Sequence, residues 1–139
     1  MAKIQWQDSL SVGIERIDNQ HRQWVKHYND TVDILASQHN RIQVMKTIGF
    51  LIDYTQTHFS TEEGYMDASR YPALPEHKAK HDELRATLSG LVKDFEEEGV
   101  TPELTKAVDI FLGNWLVRHI QEEDMQFGAY VRREGIALP

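Results

Sequence analysis

Four amphipathic segments joined by short polar breaks predict an all-α protein, an up-down-up-down antiparallel four-helix bundle with an extended N-terminal arm. The whole of residues 1–139 is expected to form one domain. Three observations carry this reading. Apolar residues recur at steps of three and four within each segment, which is the period of one helix face. Helix start and stop signals fall between the segments. The connections are short, so successive helices pack antiparallel around a shared core.

Residues 1–17 show no sustained helical period, yet Trp6, Val12, Ile14 and Ile17 give an arm something to bury. The first helix is expected over 18–37, with Asp18 as its N-cap. Its stripe is Ile17, His21, Trp24, Tyr28, Val32 and Leu35. After the polar break Ser37-Gln38-His39-Asn40, a second helix is expected over 40–64, with Asn40 capping it and Gln43 as capping-box partner. Its inward series runs Val44, Ile48, Leu51 with Ile52, Thr55, His58 with Phe59, then Glu62. Gly64 and the Tyr71-Pro72-Ala73-Leu74-Pro75 stretch mark the turn region. Pro75 suits the first turn of a third helix over 74–98, whose stripe is His77, His81, Leu84, Leu88, Leu91 and Phe95 before the stop at Gly99. Thr101-Pro102 opens a fourth helix over 101–132, with Leu104, Val108, Phe111, Trp115 and His119 inward.

Five histidines and two carboxylates stand on or beside these stripes. His21 falls three residues after its helix cap, and His58 eighteen after its own; His77 and His81 open the third helix, and His119 is eighteen past Thr101. With alternating helix directions and about 1.5 Å of rise per residue, all of them fall within ~10 Å of one end of the bundle. The spacing of four in His58–Glu62 and His77–His81 puts each pair on one face. Asp124 is the exception, because five residues of regular helix turn it about 140° away from His119. Beyond His119 the regular stripe would continue through Glu122 or Glu123, Gln126 and Tyr130, whereas one extra residue brings in Asp124, Phe127 and Val131. A wide turn or π-bulge between His119 and Asp124 is therefore predicted.

Buried carboxylates without partners are costly. A metal centre relieves that cost for His21, His58, Glu62, His77, His81, His119 and Asp124 together. Five nitrogens and two carboxylates suit two adjacent six-coordinate ions if the carboxylates bridge them. His27 lies off its stripe and His39 in a break, so neither is expected to be a ligand. Phe59, Trp115, Leu116 and Ile120 adjoin the ligands and form an apolar wall able to admit a diatomic gas while excluding water.

Composition narrows the chemistry. The absence of cysteine removes disulfides, thiolate ligands and iron–sulfur clusters, so any metal is held by nitrogen and oxygen. A net charge of -7 disfavours nucleic acid or an anionic membrane surface as partner. No segment approaches the roughly 18 apolar residues of a membrane span, and the N-terminus lacks the apolar run of a signal peptide, so a cytoplasmic location is expected. Zinc-hydrolase, P-loop and dinucleotide motifs do not occur, nor does the Glu-x-x-His motif of carboxylate-rich di-iron bundles. A site with five imidazoles carries less negative charge than those, and favours a ferrous pair that gives two electrons to O2 and recovers them. The donor set alone also suits manganese or zinc.

In its lead-in (Trp6, Asp8, Val12-Gly13, Ile17-Asp18 and His21) and in His58-x-x-x-Glu62, His77-x-x-x-His81 and His119-x-x-x-x-Asp124, the chain resembles the hemerythrins, in particular the single-domain bacterial kind. The resemblance covers nearly the whole chain. It implies two non-haem iron ions, one bound by His77, His81 and His119 and the other by His21 and His58. Glu62, Asp124 and an oxo or hydroxo group would bridge them, and the second iron would be left open for O2. It also matches Phe59, Trp115, Leu116 and Ile120 to the family's apolar O2 pocket. The implied function is reversible O2 binding, not catalysis, for storage, transport or delivery to an oxygen-consuming enzyme, by a protein expected to be monomeric. The alternatives are an oxygen or redox sensor acting through a partner, or a di-iron enzyme acting on peroxide or nitric oxide.

Overall fold

The computed structural model describes residues 3–37 and 40–138. Four long helices make up the bundle: α1 (Glu15–Ala36), α2 (Arg41–Ala68), α3 (Leu74–Glu98) and α4, a composite over residues 102–134. Sequential helices pack side by side, and α4 closes the bundle against α1. Every member of the α1 stripe from Ile17 to Leu35 is buried, as are Val44, Ile48, Leu51, Leu84, Leu88 and Phe95 from α2 and α3. Each large apolar side chain removed from water in this way contributes about 1.5–3 kcal/mol before ordering costs. His39 lies outside the described residues.

The helix ends follow local chemistry, with two departures from expectation. Asn40 accepts from the Gln43 backbone N–H at 2.8 Å, and Thr101 accepts from the Leu104 N–H at 3.1 Å, each satisfying an otherwise orphaned donor. Helix α1, however, begins at Glu15, so Asp18 is inside it and is not its N-cap. The Asp18 carboxylate turns back instead, accepting from Ser11 Oγ at 2.5 Å and from the Val12 N–H at 2.8 Å. It fastens the arm to the bundle. Helix α2 continues past Gly64 to Ala68, because Tyr65 and Met66 bury on the far side and an exposed helical glycine costs only about 1 kcal/mol.

The arm runs back along α1. Ile4 exchanges two hydrogen bonds with the Asn29 amide, Trp6 lies under Arg22, and a short 3₁₀ turn at Asp8–Leu10 leads to the buried Leu10 and Val12. The Val12 carbonyl accepts from Arg132 of α4 at 2.9 Å and packs on Gly128, where an added Cβ would come within 2.1 Å of that oxygen. Thus the arm ties the first helix to the last.

Helix α4 alternates between two kinds of winding. Regular α-turns at Pro102–Lys106, Gly113–His119 and Met125–Glu134 are separated by π segments at Ala107–Leu112 and Ile120–Asp124. The second π segment is the wide turn expected between His119 and Asp124. The first was not foreseen, and it corrects the predicted stripe. Phe111 is 44% exposed, while Leu112 is 1% exposed and takes the inward place. A π turn takes up one extra residue, so Leu104, Val108, Leu112, Leu116 and Ile120 stay on one face at uniform steps of four. The helix ends at Gly135 in the left-handed region (φ 61°), the usual role of a C-terminal glycine.

Candidate metal centre

All seven residues singled out in the sequence meet at one end of the bundle, and each is nearly or fully buried. Helix α1 supplies His21, α2 supplies His58 and Glu62, α3 supplies His77 and His81, and α4 supplies His119 and, through its π turn, Asp124. Their donor atoms fall into two groups in which every atom lies within 4.8 Å of the others. One contains Glu62, His77, His81, His119 and Asp124; the other contains His21, His58, Glu62 and Asp124. The two carboxylates belong to both.

Asp124 divides its oxygens between the groups. Its Oδ2 lies 2.9 Å from His21 Nε2, and its Oδ1 lies 3.0 Å from His77 Nε2 and 3.2 Å from His119 Nε2. Glu62 Oε1 lies 3.2 Å from His81 Nε2 and 3.4 Å from His58 Nε2. Short as these distances are, His21 Nε2, His58 Nε2, His77 Nε2 and all four carboxylate oxygens make no hydrogen bond among the described residues. They converge on common space and do not point at one another. Buried polar atoms rarely stay unsatisfied, and so many orphans in one place fit cations.

The imidazoles are held from behind. His81 Nδ1 meets Glu63 at 2.7 Å, His119 Nδ1 meets Glu123 at 3.2 Å, and His58 Nδ1 meets the Gln20 carbonyl oxygen at 2.9 Å. With Nδ1 as the donor in each case, the Nε2 lone pair is presented inward. His81 and His119 then face each other with their Nε2 atoms 3.0 Å apart, a repulsive contact unless a proton or a metal ion lies between them. These rear partners were missed in the sequence. Glu123 carried a legible signal, since it stands four residues after His119; Glu63 and Gln20 merely adjoin Glu62 and His21.

Protonation in the metal-free cluster follows the same logic. Burial pushes the His58 imidazole down to about 3, against the pull of Glu62, which leaves it neutral and ready to bind. For His77 burial is again the largest influence, but the close carboxylates of Asp124 and Glu62 outweigh it and raise the group to about 9. His119 is raised well above the usual range despite its burial, because of Asp124 and Glu123. Glu62 and Asp124 are held below the carboxylate range by the surrounding histidines, although burial alone would raise them. Protons occupy the basin where a metal would neutralise the two acids.

Aromatic rings line the cluster. Phe59 stacks on His81 at 3.8 Å and 6°, and Trp115 stacks on His119 at 4.6 Å and 17°. Trp24 lies 5.0 Å from His58 and anchors its indole N–H on Thr55 at 2.8 Å. Phe59, Leu116 and Ile120 are fully buried. Trp115 is only partly so, and it borders a surface groove of about 410 Å³ together with Ile110, Phe111 and Arg118. His27 lies outside both donor groups, its ring against Tyr54.

An all-helical bundle that buries a histidine and carboxylate cluster able to hold metal ions defines a metal-binding four-helix-bundle protein. The particular family follows from comparison with known proteins. The hemerythrin HHE cation binding domain matches residues 12–131, so the chain belongs to the hemerythrin family. It is 31% identical to the bacteriohemerythrin of Stenotrophomonas maltophilia (strain R551-3), over 95% of this chain and 84% of that one. With the bacteriohemerythrin of Pseudomonas aeruginosa (strain LESB58) it shares 33% identity over the same fractions. A wild-type hemerythrin crystal structure superposes with a TM-score of 0.81 at 30% identity, covering 92% of this chain and 97% of that one. The family is one of di-iron, oxygen-binding proteins, and no helix among the described residues is long and apolar enough to cross a membrane.

Proposed function

We propose that this protein binds O2 reversibly at two irons, for storage, transport or delivery to an oxygen-consuming partner in the cytoplasm. The observation that carries the proposal is the sharing of Glu62 and Asp124 between two donor groups, the arrangement that two bridged ions require. His77, His81 and His119 would hold one iron and His21 and His58 the other, so the second has fewer protein donors and a place for O2. Two irons held by these residues would supply the pair of electrons that O2 binding draws on and release returns.

The protein's own groups keep the process reversible. Burial holds the His58 imidazole neutral at physiological pH, so no proton competes for its donor atom. The rear hydrogen bonds of His58, His81 and His119 orient those rings without reorganisation. Phe59, Leu116, Ile120 and the buried part of Trp115 offer O2 an apolar wall and keep out bulk water. That wall favours binding and release over consumption, which supports a carrier over a catalyst.

The test of the bridging role is the metal content of Glu62→Ala. The wild-type protein reconstituted anaerobically with Fe(II) is expected to hold two irons per chain. The variant should lose the paired centre, because a bridge and a buried counter-charge vanish together. A variant that keeps two irons and normal O2 binding would refute the assignment.

A further inference from the structure

Glu62 and Asp124 stand in both donor groups, so beyond the third histidine of one group the two differ in what stands behind the imidazoles. Those rear partners are unequal. His81 is backed by Glu63, itself gripped by Arg85 at 3.1 Å. Arg85 is fixed in turn by Asp82 at 2.8 Å and Gln56 at 2.9 Å, and lies over the Phe59 ring that stacks on His81. His119 is backed by Glu123. In the other group, His58 is backed by the neutral amide of Gln20, and His21 Nδ1 makes no hydrogen bond among the described residues.

The Gln20 amide is not interchangeable with a carboxylate, and its orientation is determined. Thr61 donates its hydroxyl proton to the Thr57 carbonyl at 3.0 Å, so its oxygen is left to accept from the Gln20 NH2 at 3.1 Å. The Gln20 carbonyl oxygen must then face His58. A carboxylate behind an imidazole raises the basicity of the opposite nitrogen and adds negative charge near the metal, and removing such a partner commonly costs 10–100-fold in metal affinity. One group has two carboxylates of this kind and the other has none.

We propose that Glu63 and Glu123 are positioning residues that make the two metal positions unequal, so that the His77–His81–His119 position fills first and the His21–His58 position second. The proposal rests on the seven-ligand reading given above. The third histidine also favours the first position, so the charge of the rear partners has to be varied with the ligands left in place.

Co(II) titrated anaerobically against a chromophoric chelator measures both positions without any O2 chemistry. The wild-type protein is expected to take up two Co(II) in two resolved steps. Glu123→Gln and Glu63→Gln keep an oxygen acceptor but remove the charge, and each should weaken the first step by about 10-fold or more while leaving the second within about twofold. Gln20→Glu supplies the missing charge and should tighten the second step alone. Glu63→Gln also disturbs Arg85, so Glu123→Gln carries the test if that variant folds poorly. Equal weakening of both steps, no weakening of the first, or a Gln20→Glu variant whose second step does not tighten would each overturn the proposal. Failure of the underlying ligand assignment looks different: the wild-type protein would not take up two Co(II) at all.

Discussion

Asp124 Oδ1 lies 3.2 Å from His119 Nε2 although the two residues are five apart in a continuous helix, and the π turn at Ile120–Asp124 is what brings them together. The same turn leaves Glu123, four residues from His119, behind the ring at Nδ1. One extra residue thus lets a single imidazole face one carboxylate and lean on another. Inserting one alanine between Gln121 and Glu122 should exceed what the π turn takes up and rotate everything after it by about 100°, moving Asp124 out of the cluster and Phe127 and Val131 out of the core. The expected outcome is a chain that keeps most of its helical circular dichroism but no longer binds two metals and unfolds at lower denaturant. Retention of two bound metals would show that the register set by the π turn is not required.

The metal-free protein should be most stable near pH 6.5. His77, raised to about 9, and His119, raised well above its usual range, hold their protons more tightly folded than unfolded. Their contribution is complete below about 6.5 and is lost as pH rises through their folded values, about 9 for His77. His58, lowered to about 3, works in the opposite sense, contributing above 6.5 and losing that contribution as pH falls towards 3. Bound metal takes the place of the protons on His77 and His119, so the alkaline loss should disappear in the loaded protein. Urea unfolding between pH 5 and 10, with and without metal, checks this; superimposable alkaline limbs would count against it.

Gly128→Ala should loosen the arm. Its Cβ would meet the Val12 carbonyl oxygen at 2.1 Å, and that atom is backbone, also held by Arg132. Relief requires the arm to move, at a cost of about 1–3 kcal/mol. Faster proteolysis before residue 15 with α1–α4 still intact is the expected signature, read by mass spectrometry of the fragments. Unchanged protection would mean that the arm has slack at Val12.

The bundle was legible in the sequence because its stripes are long, and the clustered histidines and carboxylates were legible because most of them continue those stripes. His58 and Glu62 occupy positions that Val44, Ile48 and Leu51 had already marked as inward. Asp124 was reachable because the apolar pattern of Phe127 and Val131 changes phase at the same point. Phe111 and Leu112 were misread since both are large and apolar, and only the π turn at Ala107–Leu112 decides which one faces the core. Asp18 looks like a cap by residue type, but its actual partners lie in the preceding arm, where periodicity gives no signal. Gln20, Glu63 and Arg85 are polar and at least partly exposed, so nothing in a hydrophobic pattern separates them from ordinary surface; their roles appear only once the rings they support are in place.

The most direct test of reversible O2 binding is spectroscopic. Protein loaded with two Fe(II) per chain is exposed to O2 and then returned to an inert atmosphere, with the visible spectrum recorded throughout. A charge-transfer band that appears with O2, fades on its removal and returns on re-exposure is the expected result. A band that never forms, or O2 that is consumed without recovery of the ferrous protein, would contradict a carrier function.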